Sequence, residues 1–277
     1  MFNAGATVRE IRSCGDRIYE LRLESAEIAR EAGPGQFVHI CCRTESLPER
    51  SDPLLRRPFS FNRIETRPGC FALKFTVRGK GTSALSRLKS GDEIQVLGPL
   101  GRGFTVPAGM KKPLLIGGGM GAAPLPPLLE ELPAEAEPHV LLGAKSEKSL
   151  LDYNYFREKE KQKDLKKLIT VTEDGSCGEK GMISDLLPAC RGEIDYVFAC
   201  GPEDMLKEIK SWSGENDFRG QASLEARMAC GVGACMSCVK KIKSARNEPD
   251  FGTVSADYKK VCSDGPVFPL EEVVFDG

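Results

Sequence analysis

Hydrophobic and polar positions alternate through most of the first hundred residues. The stretch "ATVREIRSCGDRIYELRLE" (6–24) alternates and is broken by a Gly-Asp turn. "GQFVHICC" (35–42) is a short apolar run following Gly-Pro-Gly, "CFALKFTVRG" (70–79) alternates again, and "DEIQVLGPLG" (92–101) ends in another Gly-Pro. Short strands at such spacing predict a small antiparallel barrel. One helix is expected within it at "TSALSRLKSGD", with Thr82 or Ser83 as N-cap and Gly91 just past its end.

The period changes near Lys111. "KKPLLIGGGMGAAPLPPLLEEL" reads as strand, glycine loop and helix. "HVLLGAKS", "LKKLITVTEDG" and "EIDYVFACGP" read as strands, and "LLDYNYFREKEKQ", "GMISDLLPAC" and "EDMLKEIKSW" as helices between and after them. Strands alternating with helices predict a doubly wound parallel sheet with helices on both faces. From about Gln221 the chain reads as loop-rich and carries a cysteine cluster. The expected division is 1–109, 110–220 and 221–277, with no internal repeat or low-complexity segment.

Composition narrows the function. A chain of 277 residues with formal net charge -1 offers no global basic surface for nucleic acid or anionic lipid. No run approaches eighteen consecutive apolar residues, so no membrane span is expected, and "MFNAGATVRE" lacks the layout of a signal peptide. A cytoplasmic protein is expected. Eleven cysteines, an odd number, then point to metal binding or redox chemistry rather than to disulfides. The two histidines, His39 and His139, sit in no suggestive context and read as ordinary side chains.

Cys230, Cys235 and Cys238 have the C-x4-C-x2-C spacing of plant-type 2Fe–2S ferredoxins. Cys262, separated from Cys238 by twenty-three residues, is the natural fourth ligand. Gly231 and Gly233 allow tight turns that aim amides at the sulfurs, and Ala234 and Ser237 keep the approach close. Zinc is the alternative, although zinc sites usually pair their cysteines twice. Such a zinc-stabilised module, with its nucleotide fold as a sensor, would be colourless. The other seven cysteines read as ordinary, but Cys200 ends a parallel strand where ligands bind and Cys177 lies in a loop on the same rim.

A one-electron centre needs a two-electron partner. In "LLRRPFSFN", Arg57 suits bidentate binding of a pyrophosphate, with a flat side chain and a hydroxyl beside it for a flavin ring. "GKGTSALS" places Gly79, Gly81 and Thr82 at a helix start, where exposed amides bind phosphate. In "LLIGGGMGAAPL", Gly117, Gly119 and Ala122 satisfy G-x-G-x-x-G/A after a strand, although "GAKS" replaces the acidic residue usual after the next strand. Pro126 and Pro127 fit only in a first helical turn.

The order "RPFS", "GKGT", "GGGMGAAP", "CGP" and the cysteine motif resembles ferredoxin–NADP reductase-like flavoproteins with a C-terminal iron–sulfur domain. "PGQFVHI", "LLRRPFSF", "EDGSCGEKGMISDLL", "SLEARMACGVGACMSCV" and "YKKVCSDGPVF" are similar in wording to the electron transfer subunit of class 1B dihydroorotate dehydrogenase, an enzyme of pyrimidine biosynthesis. That resemblance implies an FAD-binding barrel, an NAD-binding α/β domain and a 2Fe–2S domain. It implies FAD on Arg57, Pro58, Phe59 and Ser60, on Lys74, Phe75 and Thr76, and on Gly81 and Thr82. NADH would approach over Gly117, Gly118, Gly119 and Gly121 and the Cys200-Gly201-Pro202 turn. The cluster would be held by Cys230, Cys235, Cys238 and Cys262. The implied partner is an FMN-containing catalytic subunit, in a heterotetramer of two of each. Electrons from that FMN would cross the cluster singly to FAD and leave as hydride to NAD⁺, with no side chain of this chain acting as general acid or base. Pro126-Pro127 and Pro269 depart from the family's commoner wording. The alternative function is electron transfer from NAD(P)H to ferredoxin, sulfur compounds or a bifurcating partner within the same superfamily.

Overall fold

The alternation over residues 6–24 folds as a hairpin of β1 (Phe2–Gly15) and β2 (Ile18–Glu24), in a computed structural model that describes residues 1–42, 53–243 and 256–275. A short helix α1 (Ala26–Glu31), not expected from the sequence, leads to β3 (Phe37–Ile40), β4 (Arg57–Glu65) and β5 (Cys70–Thr76). After helix α2 (Lys80–Leu85), β6 (Glu93–Leu100) closes a barrel in the order β1-β2-β5-β4-β3-β6. Inward residues such as Val8, Leu21, Val38, Ile40, Phe61, Phe71 and Val96 fill it, as the period of two requires.

The α2 helix starts earlier than expected and ends earlier. Gly79, not Thr82 or Ser83, is its N-cap. Thr82 stands inside the first turn, where its hydroxyl accepts the backbone N–H groups of Arg78 (2.9 Å) and Gly79 (3.3 Å). Gly91 does not end the helix; it lies in a later turn with φ +92° and donates its N–H to the Val8 carbonyl at 2.8 Å.

The second unit is the expected α/β sheet. Its chain order is β7 (Pro113–Gly118), α3 (Leu125–Glu130), β8 (His139–Ala144), α4 (Tyr153–Lys161), β9 (Lys167–Thr172), β10 (Glu179–Lys180), α5 (Ile183–Leu186), β11 (Tyr196–Cys200), α6 (Glu203–Glu215) and β12 (Arg219–Ser223). Pro126 and Pro127 fall in the first turn of α3, the place a helix tolerates them. One face of the sheet packs on Ile183, Leu206, Ile209 and Trp212, the other on Leu125, Leu128 and Phe156. Strand order reverses between β7 and its neighbours β8 and β11, which opens a crevice at their carboxyl ends.

The remainder is more structured than its loop-rich sequence suggests. The boundary expected at 220/221 falls inside β12. Beyond the cysteine loop, β13 (Val239–Lys243) and β14 (Ala256–Lys260) form a hairpin, and β15 (Val267–Pro269) pairs antiparallel with β12. Cys238, Ile242, Val261, Cys262 and Phe268 belong to the same core as one face of the parallel sheet. Burying one such large side chain contributes about 1.5–3 kcal/mol, so the last segment is anchored to the second unit. Among the described residues, no helix is long and apolar enough to cross a membrane.

Candidate functional site

Three parts of the chain converge on one cleft of about 240 Å³. The barrel contributes Pro58, Phe59 and Ser60 from β4 and Lys74, Phe75 and Thr76 from β5. The α/β unit contributes Met120, Pro124, Cys200 and Ser223, and the last segment contributes Leu224, Glu225, Ala226, Met228 and Pro266. Phe59 and Phe75 meet with ring centroids 5.5 Å apart. The cleft therefore has flat apolar walls with Ser60 and Thr76 among them, which suits a planar heteroaromatic ring.

Arg57, Gly81 and Thr82 lie outside the lining and make a separate corner. Arg57 rests its side chain over Gly81 and donates from Nη1 to the Leu55 carbonyl at 2.8 Å and the Arg56 carbonyl at 3.2 Å. A guanidinium held beside the start of α2 fits a pyrophosphate adjoining the ring cleft. Lys74 lines the cleft, but its charge is engaged elsewhere. Its ammonium is committed to the Asp152 carboxylate at 2.6 Å and Glu20 at 3.4 Å.

A second cleft, of about 680 Å³, runs over the glycine loop and includes Gly118, Gly119, Gly121, Gly201 and Pro202. Gly117 is not on its surface; it packs beneath, where an added Cβ would lie 2.8 Å from Ala122 Cα. Cys200 faces the first cleft, and Cys177 lines neither. Gly121 passes so close to the next turn that a Cβ would sit 2.3 Å from the Cys200 carbonyl oxygen. Thr76, Arg78, Met120 and Glu225 border both clefts, so ligands in the two would touch there.

Sequence reading missed Arg78, Met120 and Glu225. The available signal was a carboxylate opening the cysteine motif, but its proximity to "VRGKGT" exists only in three dimensions. Burial raises the Glu225 carboxyl above its ordinary range, and the Arg78 guanidinium opposes this. Burial also pushes the Cys200 thiol up to about 12, with Glu225 adding to the effect and a Ser223 hydrogen bond opposing it. Cys200 is thus a neutral thiol at this wall, not a nucleophile.

The cysteine loop follows directly from this wall. Gly231 has φ +72° and Gly233 φ +81°. A Cβ on Gly231 would come 2.6 Å from His39 Nδ1, so the loop closes against the barrel only with glycine there. As folded, no three Cys, His, Asp or Glu side chains among the described residues form a single-ion site. The thiols lie instead as neighbouring pairs, Cys235 near Cys230 and Cys262 near Cys238. Backbone N–H groups point at sulfur, Gly233 to Cys262 at 3.2 Å and Val232 to Cys230 at 3.5 Å. Hydrogen bonds from Ser237 and then Cys230 bring Cys235 down to about 6, whereas burial and then Cys238 push Cys262 up to about 12. Four thiols on one loop and the strand end beside it, with amide donors at Cys230 and Cys262, have the chemistry that an iron–sulfur cluster takes. Cys238 and Cys262 are buried, while Cys235 is exposed between the exposed side chains of Val232 and Met236.

His39, read from the sequence as ordinary, is fully buried against this loop, and neither ring nitrogen has a hydrogen-bond partner among the described residues. Burial, with Arg56 and Arg57 nearby, brings its pKa down to about 4.

The chain is similar to known proteins along nearly its whole length. Residues 225–274 match the model of the iron–sulfur cluster binding domain of dihydroorotate dehydrogenase B, and residues 115–211 match the oxidoreductase NAD-binding domain. The solved structure of an NADH-dependent reduced ferredoxin-NADP oxidoreductase, described for flavin-based electron bifurcation, aligns with TM-score 0.81 at 28% identity, over 99% of this chain and 91% of that one. The dihydroorotate dehydrogenase B (NAD(+)) electron transfer subunit of Desulforamulus reducens is 40% identical over 98% of both chains. That of Caldanaerobacter subterraneus subsp. tengcongensis is 37% identical over 98% of both. With such identity along nearly its whole length, the chain belongs to the family of dihydroorotate dehydrogenase B (NAD(+)) electron transfer subunits.

Proposed function

We propose that this chain relays electrons from a dihydroorotate-oxidising subunit to NAD⁺, with FAD in the cleft at the barrel and a 2Fe–2S cluster on Cys230, Cys235, Cys238 and Cys262. Bound there, the two cofactors supply the conversion between single-electron and hydride transfer. The observation that carries the reading is the shared border of the two clefts at Thr76, Arg78, Met120 and Glu225, with the cysteine loop continuing from Glu225.

The residues divide the work. Arg57 and the start of α2 hold the pyrophosphate, and Pro58–Ser60 with Phe75 and Thr76 wall the flavin ring. Gly118, Gly119, Gly121, Gly201 and Pro202 form the floor on which the dinucleotide lies. Met120 and Glu225 line both clefts and would border the nicotinamide and the flavin when both are bound. Gly233 and Val232 donate to the cluster's sulfurs.

Subunits of this kind act with a catalytic partner. We place its docking face at the exposed Cys235 edge of the loop, where Val232 and Met236 present apolar surface, and propose two copies of each chain with FMN in the partner. All eleven cysteines are free thiols, which supports a cytoplasmic setting.

Purified, cofactor-loaded protein is expected to absorb as flavin and as 2Fe–2S, and to reduce dyes with NADH. Dihydroorotate oxidation is expected only after the catalytic subunit is added, and mass measurement of the native complex reads the stoichiometry. Turnover of dihydroorotate by this chain alone would overturn the assignment. The likeness to the bifurcating oxidoreductase favours a second reading, transfer to ferredoxin; the higher identity to dihydroorotate dehydrogenase B subunits favours the first.

A further inference from the structure

Strand β3 alternates sharply. Val38 and Ile40 point into the barrel core, while Phe37 and His39 point out. Phe37 reaches the wall of the ring cleft. His39 pairs in register with Pro58, which lines the same cleft. The Nδ1 corner of its ring packs against the cysteine loop, with Nδ1, Cε1 and Cγ at 2.6, 2.9 and 3.1 Å from a Cβ built on Gly231. His39 thus stands between the cleft wall and the residue next to Cys230.

This imidazole is wholly shielded from solvent, yet both nitrogens lack a hydrogen-bond partner among the described residues. Buried polar groups rarely stay unpaired. A leucine or phenylalanine would fill the space without that cost, so the ring implies an acceptor that arrives with a bound group. Metal-bound sulfur is such an acceptor, and it would form beside Gly231.

We infer that His39 is a positioning residue for the iron–sulfur centre: one ring N–H donates to a sulfur at the Cys230 side and ties the loop to the strand that walls the flavin cleft. The inference rests on the cluster assignment above. Donors from Val232 and Gly233 come from the loop itself. His39 is the donor from the barrel, so it couples the position and the potential of the cluster to the flavin unit. A hydrogen bond to sulfur stabilises the reduced, more negative cluster and raises its potential.

The chain has only two histidines, which makes the test selective. Holoprotein grown with ¹⁵N-histidine is reduced with dithionite and examined by electron spin-echo envelope modulation. Nitrogen coupling is expected in the wild type and in His139→Gln. In His39→Leu the coupling is lost and the potential, titrated by electron paramagnetic resonance, shifts downward; His39→Asn restores part of the shift through its amide. A cluster signal without histidine coupling in the wild type would overturn the role of His39 alone, and needs no variant to fold. An unchanged potential in a fully loaded His39→Leu protein would overturn it too. Absence of any 2Fe–2S signal in the wild type would overturn the cluster assignment and this inference with it.

Discussion

The Lys74 ammonium, on barrel strand β5, lies 2.6 Å from the Asp152 carboxylate at the start of α4. Arg63 reaches the same oxygen at 2.9 Å, and Asn62 donates to the other at 2.8 Å. Asp152 is nearly buried and left-handed at φ +58°. This cluster joins barrel to sheet. Asp152→Asn keeps a residue tolerant of that φ but strands two cations, and breaking a buried pair costs about 3–5 kcal/mol. Glu20 retains part of the pairing for Lys74, so the lower end is expected. Denaturant titration monitored by flavin release checks this.

Gly121 tests the dinucleotide floor. A methyl group there meets the backbone of Cys200 and Gly201 at 2.3–2.5 Å, and backbone cannot swing aside as a side-chain tip can. Gly121→Ala is expected to push the glycine loop away from the Gly201-Pro202 turn. Misplacement of about 1 Å can cost roughly 100-fold, so NADH–dye turnover should fall by about that factor while flavin absorbance stays. Unaltered turnover would show that the dinucleotide does not cross this loop.

The thiols should not be equivalent. Cys235 is exposed, whereas Cys262 is 2% exposed within the shared core. Cys235→Ser is expected to remove iron and cluster absorbance but leave flavin bound. Cys262→Ser should remove the cluster and also lower the melting temperature, because a buried hydroxyl is left poorly paired, at about 1–3 kcal/mol. Iron analysis and thermal melts separate the two outcomes.

His139 links stability to pH. Burial lowers its pKa below the ordinary 6.5, although Glu193 at 3.7 Å opposes this. Below 6.5 the unfolded chain binds a proton that the folded chain resists, so stability present above 6.5 is lost as pH falls. His139→Gln should flatten that part of the curve, measured as the urea midpoint at pH 7 and pH 5.5. A wild-type midpoint that rises on acidification would contradict the sign.

Much of this was legible because local pattern and final environment agree. Inward positions of β2 and β5 alternate with outward ones, and the thiol spacing needs no tertiary information. What escaped notice was non-local. Strand β12 carries "RGQAS", whose polar Gln221 and Ser223 conceal a strand that is nonetheless buried. Strand β15 is three residues long and ends in Pro269. Gly79 caps α2 without a side chain to announce it, so Thr82 drew the assignment. Glu225 meets Arg78, and His39 meets Gly231, only after the last segment folds back.

The pairing of β15 with β12 has a consequence for biogenesis. Until the chain beyond the cysteine loop has been made, β12 keeps an open hydrogen-bonding edge, and open edges invite pairing with other chains. Sealing that edge carries Cys262 into place beside Cys238. Protection of the nascent sheet from aggregation and the approach of Cys262 to Cys238 are therefore one folding event, so a chain cut short before β15 loses both together.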